Sequence, residues 1–115
     1  MQKKKDGGME MRDTRYRAEA EIFQALAHPV RLQLLDFLAE GPRCACEIEP
    51  AFSLDQSTIS RHLIALRRAG LVQARREGVR VLYELGDERV ERIRDLVREF
   101  LADRAREQML LSQGG

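Results

Sequence analysis

Tryptophan is absent from this chain, and aromatic residues make up only 5% of its 115 positions. The core must therefore come from Leu, Ile, Val and Ala. No stretch approaches the roughly 20 consecutive apolar residues of a membrane span. The opening MQKKKDGG is basic but has no apolar run behind it. It does not read as a secretory signal, so a cytoplasmic protein is expected. A Gly-rich phosphate loop, HExxH and GxSxG are all missing, and nothing in the sequence argues for an enzyme. Cysteine is scarce too: there are two, Cys44 and Cys46. In a reducing compartment such a pair points to ligands or sensors rather than to a structural disulfide.

What is present is a single domain's worth of charged, Leu-rich sequence. The formal net charge is +1, but the charges are segregated. Residues 1–17 carry a net +3, residues 18–53 a net −4, residues 54–80 a net +4 and residues 81–115 a net −2. Phosphate binding depends on a local basic patch rather than on the total, so residues 54–80 are the candidate nucleic-acid surface.

The pattern predicts a mainly α fold with a β-hairpin, in the order α-α-α-α-β-β-α. Residues 1–11 are polar, contain Gly7-Gly8 and read as a mobile tail; residues 12–111 read as one folded domain. A first helix is expected from near Asp13 to Leu26, with Ala18, Ile22, Phe23, Ala25 and Leu26 on one face. A second starts at His28-Pro29, with His28 as its cap, and runs to about Ala39. A short helix follows over about Cys44 to Ile48, bounded by Pro50. Asp55 caps the next helix, whose buried stripe is Ile59, Leu63 and Leu66, and Gly70 closes it. Strands are expected over 71–76 and 79–85, joined by a tight turn at Glu77-Gly78. A long amphipathic helix then runs from Asp87 to about Leu111, with Val90, Ile93, Leu96, Val97, Phe100 and Leu101 on its apolar side. Its carboxylates and arginines, such as Glu91 and Arg94, read as exposed pairs.

Two helices followed by a basic hairpin make the plan of a winged helix-turn-helix. The second helix of such a unit enters the major groove and meets base edges with its N-terminal residues. Here those residues are Gln56, Ser57, Thr58, Ser60, Arg61 and His62. Gln suits adenine, Arg suits guanine, and Ser or Thr serves base or phosphate. Arg75, Arg76 and Arg80 on the wing are expected to hold phosphate or the minor groove. The bland readings are a solvated amphipathic helix, and a His62 that packs at the rim of the core.

Three sequences carry a family resemblance at the same time: His28-Pro29-Val30-Arg31-Leu32, SRHL at Ser60–Leu63, and LRRAGLV at Leu66–Val72. Together, over about residues 15–101, they resemble the ArsR/SmtB family of metalloregulatory repressors. The resemblance implies a homodimer joined through its first and last helices, bound to double-stranded operator DNA and released by a ligand. Cys44-Ala45-Cys46 resembles the CxC motif of arsenic- and cadmium-type members, with Glu49 where arsenic-type members commonly place a third cysteine. It implies trivalent arsenic or another thiophilic ion as inducer, with no permanently bound cofactor. The family's zinc site on the last helix is not expected, because no histidine follows His62.

The cysteines admit three readings from their chemistry alone. They are a pair of thiolate ligands for a soft metal or metalloid, a redox pair, or two small semi-buried apolar residues. On a regular α-helix, residues two apart point about 200° away from each other. Ligation by both sulfurs would then require a distorted helix start.

Overall fold

Three of the helices that pack on the core start at a side chain that holds a free backbone N–H group. His28 Nδ1 accepts from Val30 N at 3.2 Å, Asp55 Oδ1 from Thr58 N at 2.8 Å, and Asp87 Oδ1 from Arg89 N at 2.8 Å. In the computed structural model, which describes the backbone of residues 2–114 and the side chains of residues 13–113, the elements run as follows. They are α1 (Gln2–Leu26), α2 (Pro29–Ala39), β1 (Arg43–Cys44), α3 (Ala45–Phe52), α4 (Gln56–Arg68), β2 (Val72–Glu77), β3 (Arg80–Leu85) and α5 (Arg89–Gly114). The backbone of α1 begins well before the expected start near Asp13; the side chains of residues 1–12, which include the expected tail of residues 1–11, lie outside the described residues.

Leu34, Leu35, Ile48, Ile59 and Leu66 are the largest fully buried side chains. They join α2, α3 and α4 around one aliphatic core, with Leu71, Val72 and Val90 closing it from the wing and α5. The stripe of α4 is buried as the spacing predicts: Ile59 is 2%, Leu63 3% and Leu66 0% exposed. At roughly 1.5–3 kcal/mol per side chain this burial outweighs the ~1 kcal/mol of a cap. The Asp55 cap sets where α4 begins, and the stripe holds it down.

At its other end α4 stops in a Schellman arrangement. Gly70 N donates to Arg67 O and Leu71 N to Leu66 O, both at 2.9 Å, with Gly70 at φ +80°. A Cβ on Gly86 would stand 2.3 Å from the Gly70 carbonyl oxygen, so two chain segments meet there only because one is glycine.

The hairpin differs in detail from the sequence expectation. Glu77 pairs with Arg80, so the two-residue loop is Gly78-Val79 rather than Glu77-Gly78. Gly78 takes φ +65°, the positive value that a type II′ turn needs at its first central residue. A third strand was not anticipated: β1, only two residues long, pairs antiparallel with β3, giving the sheet order β1-β3-β2. Two residues carry too little alternation to be read as a strand.

Helix α3 also runs on through Pro50 to Phe52, past the boundary expected at Ile48. Proline removes one N–H bond, but Ile48 is fully buried and Phe52 packs edge-on against Phe37 at 5.7 Å. Tertiary packing outweighs the local break. Arg94 likewise departs from expectation. It is buried and pairs with Asp36 of α2 rather than with Glu91, while Arg98 reaches the same carboxylate at 2.6 Å. Burial alone would raise the Asp36 pKa, but the bonds and charges of Arg94 and Arg98 outweigh it and hold the carboxyl below its usual range.

Candidate nucleic-acid interface and cysteine pair

With its apolar stripe turned to the core, α4 presents Gln56, Ser57, Ser60 and Arg61 to solvent, while Thr58 and His62 are half-buried. Some of these groups are engaged locally. Ser57 Oγ donates to Asp55 Oδ1 at 3.0 Å, and Arg61 Nη2 donates to Thr58 Oγ1 at 3.4 Å. The bonds from Thr58 and Ser57 hold the Asp55 carboxyl below its ordinary range. Among the described residues Gln56 and Ser60 are exposed and make no side-chain hydrogen bond within the chain.

His62 turns toward α2 rather than straight outward. Its Nδ1 accepts from Arg31 Nε at 3.1 Å, and its ring lies 4.4 Å from that of His28. Burial, then the nearby His28, Arg31 and Arg61, push its pKa below the usual histidine value. Sequence reasoning missed Arg31, which sits inside the HPVRL segment but shows its partner only across 31 residues of chain.

The three wing arginines differ. Arg75 reaches Glu84 at 3.3 Å and Glu77 at 3.4 Å, and Arg80 stands 3.9 Å from Glu77. Arg76 has no carboxylate partner among the described residues and lies exposed beside the turn. It is the wing's uncompensated cation.

Cys44 and Cys46 are joined by a disulfide, with Cα atoms 5.2 Å apart. This corrects the expectation that the side chains point about 200° apart. That geometry holds only if both residues are helical, and Cys44 is the N-cap of α3 in extended conformation, φ −85° and ψ 164°. Its backbone belongs to β1 and pairs with Leu82 of the wing strand β3. Its N–H donates to Glu47 Oε1 at 3.0 Å, while Arg43 pairs with Glu40 and Glu47 and lies over the Phe37 ring. Cys44 is 3% exposed, whereas Cys46, in the first turn of α3, is open to solvent. The sulfur bridge thus ties the sheet edge to the helix that supports α4. No group of three or more His, Cys, Asp or Glu able to hold a metal ion occurs among the described residues.

An apolar face also stands open between α1 and α5. Phe23, Leu26, Leu32, Ile93, Val97 and Leu101 line a groove of about 480 Å³, with Arg94, Arg98 and Asp36 at its edge. Phe100 and Leu96, on the same helix, are 60% and 65% exposed. Among the described residues no helix is long and apolar enough to cross a membrane.

Comparison with known proteins agrees with this architecture. Residues 28–74 match the model of the bacterial regulatory protein, arsR family. An uncharacterized HTH-type transcriptional regulator of Methanocaldococcus jannaschii is 45% identical over 75% of this chain and 98% of its own. A probable mercury resistance operon repressor of Streptomyces lividans is 41% identical over 75% of this chain and 69% of its own. The solution structure of the homodimeric winged helix-turn-helix DNA-binding domain Mb0332 from Mycobacterium bovis is 41% identical. It covers 79% of this chain and 83% of that one, with a TM-score of 0.72. With its capped α4, arginine-bearing wing and matching relatives, the chain belongs to the ArsR/SmtB family of winged-helix, DNA-binding transcriptional regulators, which are not enzymes.

Proposed function

We propose that this regulator is a homodimeric repressor whose grip on operator DNA is set by chemistry at Cys44 and Cys46. The exposed apolar α1–α5 face supplies the dimer contact, and similarity to the homodimeric M. bovis domain supports a dimer. The N-terminal half of α4 (Gln56, Ser57, Thr58, Ser60, Arg61 and His62) meets DNA in the major groove. Arg75, Arg76 and Arg80 steady the wing on the backbone.

One observation carries the input side of this reading. The cysteine pair bridges β1, which pairs with the wing strand, and the first turn of α3, which packs beneath α4. A change at sulfur therefore acts on both DNA-contacting elements at once. The bond between the sulfurs favours oxidation as the signal. Two thiols lose two electrons and two protons to a peroxide, which leaves as water, and the β1–α3 junction becomes fixed. A second reading rests on the same closeness. The reduced pair captures trivalent arsenic or another thiophilic ion, consistent with similarity to the mercury-resistance repressor. Coupling between such a site and DNA is typically worth about 1–3 kcal/mol.

Titrating the reduced, DNA-bound protein separately with peroxide and with arsenite separates the two. Release by peroxide alone supports the redox reading, and release by arsenite alone supports the metalloid reading. Release by both in wild type but by neither in the C44S/C46S protein would mean that the site answers to both chemistries. No change of affinity with either reagent would reject the cysteine input and leave the DNA reader standing.

A further inference from the structure

The start of α2 and the first half of α4 enclose a hollow of about 500 Å³ beside the exposed reading face. His28, Arg31, Thr58, Arg61 and His62 line it, and none of its lining residues is acidic. Elsewhere, eight arginines among the described residues, Arg17, Arg43, Arg75, Arg80, Arg89, Arg94, Arg98 and Arg106, sit within 4 Å of a carboxylate. Arg31 and Arg61 make no ion pair among the described residues. The nearby Asp55 carboxylate binds Thr58 N and Ser57 Oγ through Oδ1 and attracts Arg61 from outside the hollow, without forming an ion pair with it.

The free groups of the hollow are nearly all donors. His28 Nδ1 accepts from Val30 N and His62 Nδ1 from Arg31 Nε, so each neutral ring carries its proton on Nε2. Arg31 uses Nε for His62 and Nη1 for the Ala25 carbonyl at 3.4 Å, which leaves Nη2 without a partner among the described residues. Two imidazole N–H groups and two guanidinium groups around one hollow call for an acceptor-only, anionic ligand. A helix in the major groove, about 12 Å wide, is flanked by a phosphate strand on each side. The hollow opens beside the half of α4 assigned to that groove.

We propose that His28, Arg31, Arg61 and His62 form a seat for one DNA backbone phosphate per protomer, which makes the start of α2 part of the DNA interface. This rests on the assignment of α4 as the reading helix. Because a phosphate contact positions without reading sequence, the seat adds affinity for any duplex.

The test uses the full-length dimer, a duplex selected from a random pool and a scrambled duplex, with affinity measured between about 50 and 200 mM salt. Arg31→Gln should weaken binding to both duplexes by the same factor. The slope of log affinity against log salt should fall by about two per dimer, at about 0.9 per phosphate, so the deficit shrinks about tenfold across that range. Arg31→Lys should keep the wild-type slope, which separates lost charge from lost scaffolding. His28→Asn keeps a capping acceptor but removes the Nε2 donor, and should weaken both duplexes a few-fold. A wild-type slope in Arg31→Gln, a loss confined to the selected duplex, or unchanged binding by His28→Asn would each overturn the seat. Equal binding of both duplexes by wild type and by Gln56→Ala would instead sink the reading of α4.

Discussion

Helices α4 and α5 carry the same kind of apolar stripe, yet only one of them is buried. Ile59, Leu63 and Leu66 of α4 are at most 3% exposed, whereas Leu96, Val97, Phe100 and Leu101 of α5 are 52% to 65% exposed. Periodicity marks which face of a helix seeks apolar company but not whose company it finds. The stripe of α4 is answered inside the chain by α2, α3 and the wing. That of α5 is answered only in its first turns, by Val90 and Ile93. The rest forms an apolar face larger than scattered surface residues would give, which suits a second copy.

That contrast can be broken from either side. The largest effect is expected on the α5 side. Phe100→Glu with Leu101→Glu places four carboxylates in the dimer face and should yield monomers by sedimentation. Affinity for a two-half-site duplex should fall by about 10²–10⁴-fold, because the two contacts are no longer linked. Monomer stability should change little. A dimer of undiminished DNA affinity would show that the open stripe is not the dimer contact.

On the α4 side, Leu66→Ala should remove about 2–5 kcal/mol of stability in urea unfolding, since the side chain is fully buried. Leu96→Ala should leave that measure within about 0.5 kcal/mol for the isolated subunit. Similar losses at both sites would erase the contrast.

A smaller effect belongs to the join between the two regions. Asp36→Asn leaves the buried Arg94 without its anion and should cost about 2 kcal/mol, less than the 3–5 typical of a fully buried pair because Asp36 is half open to solvent. The Asp36 carboxyl is held below its ordinary range. The stability it contributes is therefore complete above the unfolded carboxylate pKa of about 3.9 and is lost as pH falls through the lowered value. Denaturation midpoints measured from neutral to acid pH should show this loss in wild type and lack its share in Asp36→Asn.

Much of this was legible in the residues. The caps at His28 and Asp55, the buried stripe of α4, the glycine stop and the hairpin wing all follow local rules. Three features needed distant partners and stayed hidden. Arg94 looked like one more exposed helical charge until α2 brought Asp36 to it. Strand β1 exists only because β3 lies alongside. That strand also changes the cysteines, since an extended Cys44 can face Cys46 where a helical one could not. The same limit applies to His62, whose place in SRHL says nothing of its partner Arg31 on α2.

The sulfur bridge at the β1–α3 junction either governs the DNA-reading unit or merely adorns it. The direct measurement is the affinity of one protein preparation for its selected duplex, first fully reduced and then with Cys44–Cys46 oxidised, alongside the C44S/C46S protein. A change of about 5–150-fold on oxidation, absent from the double variant, is the predicted result. Equal affinity of the reduced and oxidised wild-type protein would contradict it.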